Sequence, residues 1–295
     1  MKITKLLKTL AAGMFLTGAV QANADALVVG GKNFTEQQLL TSMTSQYLAA
    51  KGVDVDTRAG MGTAVLRKAQ VNGQIDLYWE YTGTALINFN KIKEPLSMED
   101  GYNKVKELDA EKGLVWLDPS KVNNTYALAM RRAEAAEKGI SSLSDLSKAV
   151  NAGDELLFAC NAEFAARADG LKPLQKAYGF KFDRSQVKRM DTGLTYQALK
   201  EGQVNISLVF ATDGRIPAFD FVVLKDDKNY FPVYALTPVI RAEALEANPA
   251  LEGLMNDLAS RLNDQNMAEL NAKVDVNKET IEKVAKGFLT EQGLI

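Results

Sequence analysis

Seven side chains in this sequence have the chemistry to hold a small charged solute: Lys32, Thr84 and Arg167 as polar groups, and Tyr81, Tyr126, Phe210 and Tyr234 as rings. Each also has a plainer reading. Lys32 can present a point charge to an anionic ligand, or stand as an ordinary exposed loop lysine. Arg167 can offer a planar fork to a carboxylate, or pair on a helix surface with Glu163 four residues earlier, worth only about 0.3 to 0.5 kcal/mol. Taken singly, each ring is better explained by core packing. What gathers the seven is position, since all fall at the ends of expected strands or at crossings between lobes, where loops of α/β proteins receive ligands. Other chemistry is excluded outright. Histidine is absent, which removes Ser-His-Asp and Cys-His nucleophiles, His-ligated metals and imidazole proton shuttles. The single cysteine, Cys160, allows no internal disulfide and no thiolate cluster. Gly60-Met61-Gly62 lacks the third glycine of a nucleotide fingerprint, and no cofactor site is expected. With 35 Lys and Arg against 37 Asp and Glu, and no basic run read in the chain, nucleic acid is not an expected partner.

The elements that would position these residues alternate. Ala26–Gly30 reads as a strand, a loop carries Lys32, and apolar residues at 39, 40, 43, 47 and 48 set a helix that Thr35 and Gln38 can open with a capping box. Val53–Thr57 is a strand, 60–63 a loop, 64–71 a helix closed at Gly73, and 75–79 a strand turning through 80–84 into a helix at Ala85. After a connecting stretch the pattern returns: helix 143–150, strand 155–160, Asn161 as an N-cap, helix 163–178 interrupted by Pro173, helix 196–201, strand 205–211, a turn at 212–214 and strand 219–225. The tail from Arg241 is helical, with Gly293 as a stop. Such alternation predicts α/β lobes with mostly parallel sheets covered on both faces. At 295 residues the chain is long enough for two lobes. Tyr126-Ala-Leu-Ala-Met-Arg131 and Tyr234-Ala-Leu-Thr-Pro-Val-Ile-Arg241 look alike and flank the second block. Reading them as paired crossings gives one discontinuous lobe, 25–128 with 236–295, and a second, 129–235.

Lys2, Lys5 and Lys8 before the apolar stretch Leu10–Val20, followed by Ala22-Asn23-Ala24, read as a secretory signal peptide over residues 1–24. About 11 apolar residues are too few to span a bilayer. Cleavage would leave 271 residues and take the net charge from -2 to -5. With no cysteine at the cleavage point to carry a lipid, the expected location is the periplasm.

GKNFTEQ at 31–37, Glu80-Tyr-Thr-Gly-Thr84, Asn124-Thr-Tyr-Ala-Leu128, the AEF segment with Arg167 at 162–167, and Thr212-Asp-Gly-Arg-Ile216 together resemble the substrate-binding proteins of ABC importers for quaternary ammonium solutes such as glycine betaine, choline and carnitine. The resemblance runs in order along nearly the whole mature chain. It implies a type II periplasmic binding protein fold with two inter-lobe crossings, closing on ligand as a monomer and delivering it to an inner-membrane ABC permease with its ATPase. It also implies that Tyr81, Tyr126, Phe210 and Tyr234 form an aromatic cage for the trimethylammonium head, and that Lys32, Thr84 and Arg167 hold a betaine carboxylate. Phe210 stands where many relatives carry Tyr. Trp79 stands where Pro is common, either as an added wall or packed under the turn. A methylated nitrogen has no N–H to donate, so ring faces worth roughly 0.5 to 2 kcal/mol each are its natural partners. A zwitterionic betaine is expected to be preferred over choline, which lacks the anion. Three alternatives stay open: a binding protein for another cationic or zwitterionic solute such as an amino acid, a sensory protein that delivers its ligand to a receptor, and an enzyme pairing Glu80 with Asp213 as acid and base. Nothing in the spacing favours the enzyme, and none is expected.

Overall fold

The computed structural model describes residues 26–94 and 96–295; the expected signal peptide lies outside the described residues. Ten strands form among them: β1 (Leu27–Lys32), β2 (Val55–Met61), β3 (Leu77–Tyr81), β4 (Leu114–Trp116), β5 (Tyr126–Arg131), β6 (Phe158–Cys160), β7 (Val187–Arg189), β8 (Ile206–Phe210), β9 (Phe221–Val223) and β10 (Leu236–Arg241). They make two five-stranded sheets with orders β2-β1-β3-β10-β4 and β7-β6-β8-β5-β9. Helices cover them, as the alternating pattern predicts, giving a two-lobed α/β molecule.

The sheets share one plan. In each, the fourth strand runs antiparallel to both neighbours while the remaining pairs are parallel. The odd strands are β10 and β5, the two segments that look alike in sequence. They are therefore equivalent strands of the two sheets, not the crossings themselves. Register shows the likeness to be offset by two residues, because Tyr126 pairs with Phe210 whereas Leu236, not Tyr234, pairs with Tyr81. The crossings lie just before each strand. They pair antiparallel at Asn123 and Ala235, with Leu236 N donating to Val122 O at 3.0 Å and Asn124 N to Tyr234 O at 3.3 Å. An expected border after Leu128 would cut β5, which belongs whole to the second sheet.

Central strands are buried on both faces. All five residues of β3 are buried, including Trp79, whose indole N–H donates to Thr44 Oγ1 at 2.9 Å under the helix Thr35–Ala50. Trp79 thus packs beneath the sheet and adds no wall to a site. The helix Thr35–Ala50 buries Leu39, Leu40, Met43, Tyr47 and Leu48 at helical spacing, as expected. Its start differs from expectation. Phe34 takes the N-cap position with no side-chain cap, and the Thr35 hydroxyl donates instead to Asp275 Oδ1 at 2.9 Å. The loop expected at 60–63 is shorter, since β2 continues through Met61 with an irregular step in its register against β1.

The helix expected over 163–178 is two helices, Ala162–Ala166 and Leu171–Tyr178. The break lies at Arg167–Gly170 and not at Pro173, which sits in the first turn of the second helix, where its missing N–H costs nothing. Asn161 caps the first helix as expected, accepting from Phe164 N at 2.7 Å. Gly170 is required there, because a Cβ would meet Phe164 O at 1.9 Å. This short helix and sharp bend turn Arg167 toward the first lobe.

Candidate functional site

All seven residues singled out from the sequence line one pocket between the lobes. Lys32 ends β1, Tyr81 ends β3, Thr84 lies in the turn Thr82–Thr84, Phe210 ends β8, and Arg167 follows the helix Ala162–Ala166. Tyr126 opens β5, and Tyr234 lies in the second crossing. Strand ends and crossings therefore converge on one space.

The rings form a continuous arc. Centroids follow one another at 6.3 Å from Tyr81 to Phe34, 5.2 Å to Phe210, 5.3 Å to Tyr126 and 5.6 Å to Tyr234. Phe34 is the member that sequence reasoning missed. It stands inside the GKNFTEQ segment, and its signal is an aromatic residue at a helix N-cap, where a small polar residue would serve the helix better. Two of the three tyrosine hydroxyls are anchored behind the rings. Tyr81 donates to Glu36 Oε1 at 2.7 Å and Tyr234 to Asp169 Oδ2 at 2.6 Å. Burial, aided by Glu36 at Tyr81 and by Asp169 at Tyr234, holds both phenols well above their ordinary range, and burial raises Tyr126 likewise. The three are neutral rings at physiological pH. Gly83 makes room for one of them, since a Cβ there would lie 2.9 Å from the Tyr234 ring.

The polar groups are more committed than expected. Lys32, 2% exposed, donates to Glu80 Oε1 at 2.5 Å and lies 4.8 Å over the Tyr81 ring. Arg167 makes a bidentate pair with Asp169, both contacts at 2.7 Å, and its Nη1 donates to Glu163 Oε1 at 3.0 Å. The Glu163 contact weighed from spacing is therefore present, and Asp169 adds a stronger one. Arg167 also lies 5.1 Å over the Tyr126 ring, and its Nη2 donates to Thr84 Oγ1 at 3.2 Å across the cleft. Burial works against the guanidinium charge, but Tyr126 and Asp169 more than offset it, and Asp169 in turn is held below its ordinary value by Arg167 despite its own burial. Donors remain nonetheless. Lys32 spends one of three ammonium protons on Glu80, Arg167 keeps one Nη1 proton, and Thr84 accepts from Arg167 with its own proton unassigned.

Glu36 ties the halves together. It is 2% exposed and accepts from Tyr81 OH, from Asn124 Nδ2 at 2.9 Å, and from the second lobe's Thr212 Oγ1 at 2.5 Å. Burial raises its carboxyl above the ordinary value in spite of these donors. Asn88 Nδ2 reaches Asp169 Oδ1 at 3.2 Å, and Arg215 lies 3.2 Å from Asp275. The lobes are closed on each other. Glu80 and Asp213 do not form an acid and base pair. Glu80 is spent on Lys32 and on Tyr78 OH at 2.9 Å, while Asp213 makes a bidentate pair with Arg215. No group of three or more Cys, Asp or Glu placed to hold a metal ion occurs among the described residues.

A buried ring-lined pocket closed between two α/β lobes is the architecture of a solute-binding protein that shuts on its ligand. Comparison with known proteins narrows the class. Residues 25–291 match the family described as the substrate binding domain of ABC-type glycine betaine transport systems, and the chain belongs to that family. It is 45% identical over 290 residues to a glycine-betaine-binding protein of Pseudomonas aeruginosa, covering 96% of this chain and 93% of that one. The glycine betaine-binding protein YehZ of Escherichia coli is 33% identical, with 98% of both chains covered. Its apo structure superposes with a TM-score of 0.67 over 92% of this chain and 100% of its own. A structure described as a glycine betaine/carnitine/choline ABC transporter gives a TM-score of 0.73 at 26% identity, covering 91% of this chain and 99% of that one. No helix among the described residues is long and apolar enough to cross a membrane.

Proposed function

We propose that this protein captures glycine betaine, or a closely related quaternary ammonium solute, in the inter-lobe pocket and delivers it to a membrane permease. The observation that carries the reading is the unbroken arc of five rings with Lys32, Thr84 and Arg167 on the same pocket. A trimethylammonium group offers nothing to hydrogen-bond and is matched by neutral ring faces. The carboxylate takes the remaining protons of Lys32, Arg167 and Thr84 as charge-assisted hydrogen bonds. Because Glu80 and Asp169 already balance the two cations, the anion gains through directed hydrogen bonds more than through net charge, and glycine betaine is preferred over choline, which cannot make them. The moving units are the two sheets with their helices, hinged at the paired crossings. The protein acts as a periplasmic monomer without a cofactor, and its permease partner is driven by an ATPase.

Isothermal titration of the purified protein with glycine betaine, choline, carnitine and polar amino acids tests this. Quaternary solutes should bind and amino acids should not; the reverse would end the reading. Arg167→Ala should weaken betaine by about 1.5 to 3 kcal/mol, the loss of a charged hydrogen bond. An affinity kept within about twofold would remove the carboxylate assignment.

A further inference from the structure

The second lobe carries a groove that none of the above uses. It lies between the helix Leu171–Tyr178 and β7, the edge strand of its sheet, with the loop after the helix closing one end. Lys172 and Lys176 come from the helix, Lys181 and Arg184 from the loop, and Arg189 from the strand. A single acid, Asp183, joins them. None of these five cations forms an ion pair among the described residues. The concentration is local: residues 172–189 hold six cations against one acid, in a chain whose net charge is -2. Leu171, Phe180, Phe182 and Val187 line its apolar walls, the first three buried in the core and Val187 half-buried.

Folding alone does not account for this arrangement. Lys172 and Lys176 stand four residues apart on one helix, where like charges repel and cost stability. Lysines along a sheet edge guard it against pairing with another chain, and Lys188 serves that purpose. The five groove cations, however, come from three elements and ring a concavity. A flat lipid surface would be met by cations on a convex face, whereas here the charges surround a cleft with apolar walls beside an edge strand that has no outer partner among the described residues. We infer that this groove docks an extended acidic segment of a partner protein, its carboxylates on the lysines and arginines, an apolar side chain beside Val187, and its backbone along β7. The inference concerns a separate surface and does not depend on which solute fills the pocket.

The test uses a fluorescently labelled peptide of alternating Glu and Val, read by anisotropy against the intact protein. Binding should weaken by about tenfold or more as salt rises from roughly 50 to 300 mM, because exposed charges are screened. It should be lost in Lys172→Glu/Lys176→Glu/Arg189→Glu and, from the other side of the groove, in Lys181→Glu/Arg184→Glu. Melting temperature and solute affinity should stay unchanged in both. Peptide binding that survives both variants overturns the inference. So does co-sedimentation with phosphatidylglycerol vesicles in the absence of peptide binding, which would assign the surface to lipid. Failure of both probes to bind would leave the cations as a guard on the sheet edge.

Discussion

Phe34→Ala is the sharpest probe of the ring arc, because Phe34, like Phe210, has no hydroxyl to anchor it, is partly buried, and bridges Tyr81 and Phe210. It stands 6.3 Å from Tyr81 and 5.2 Å from Phe210, nearly parallel to both, so its removal takes the middle out of one wall. A ring face on a desolvated cation is worth about 0.5 to 2 kcal/mol, and a stacked pair about 0.5 to 1.5 kcal/mol beyond its area. Some of the stacking is kept when Tyr81 and Phe210 relax toward each other. The net loss of binding is therefore about 1 to 2 kcal/mol, or roughly a 5- to 30-fold rise in Kd. Stability should fall by about 1 to 2 kcal/mol, since the ring is partly buried and packs against the core. Titration calorimetry with glycine betaine measures the first quantity and chemical denaturation the second. Phe34→Tyr, which keeps the face, should bind within about threefold of the parent. If Phe34→Ala bound betaine within about twofold while staying folded, the arc would be packing and the ammonium would sit elsewhere.

Other outcomes follow from the same geometry. Burial raises the Glu36 carboxyl above its ordinary 4.5, so the native state keeps a proton that the unfolded chain has already released, and stability falls as pH climbs from 4.5 through the raised value. Glu36→Gln has no such proton to lose and should flatten that fall in melting curves, leaving only the similar contribution of Asp275, while parallel curves would contradict the assignment. Gly83→Ala places a Cβ 2.8 Å from Val233 O and 2.9 Å from the Tyr234 ring. It should destabilise by about 1 to 3 kcal/mol and weaken solute binding, and a variant with unchanged unfolding midpoint and affinity would show that Tyr234 has room to move. Burial pushes the Cys160 thiol up to about 11, with Arg189 pulling weakly the other way. At pH 8 a thiol reagent should react with the native protein on the order of 100-fold more slowly than with the urea-unfolded chain. Equal rates would mean that β6 opens readily.

Local pattern carried much of this molecule. Apolar runs at 27–30 and 206–210 and the helical spacing from Leu39 to Leu48 gave the layers, and placing the chemistry at strand ends gathered seven residues of one pocket. Strand direction was not legible, because β5 and β10 run backwards only through the crossings that feed them, a property of the chain path. The likeness of Tyr126-Ala-Leu and Tyr234-Ala-Leu was a true hint of equivalent strands, but its two-residue offset appears only in register. The helix break at Arg167–Gly170 is set by the Phe164 carbonyl against Gly170, a contact that spacing does not express. Nor does sequence reveal that Lys32 is spent on Glu80, 48 residues away. Asp169, two residues from Arg167, was near enough to suspect, but only the bend between the two helices turns the pair into the cleft.

The two crossings form a narrow ribbon, and the rings of Tyr126 and Tyr234 sit at its margins. With the proposed hinge at these crossings, any swing of one lobe twists that ribbon and turns both rings together. Gathering the aromatic wall and shutting the molecule are then one motion with a single joint. Grip on cargo and the outline shown to the transporter cannot be tuned apart, so a variant that clasps its solute more firmly would also linger shut and unload more slowly.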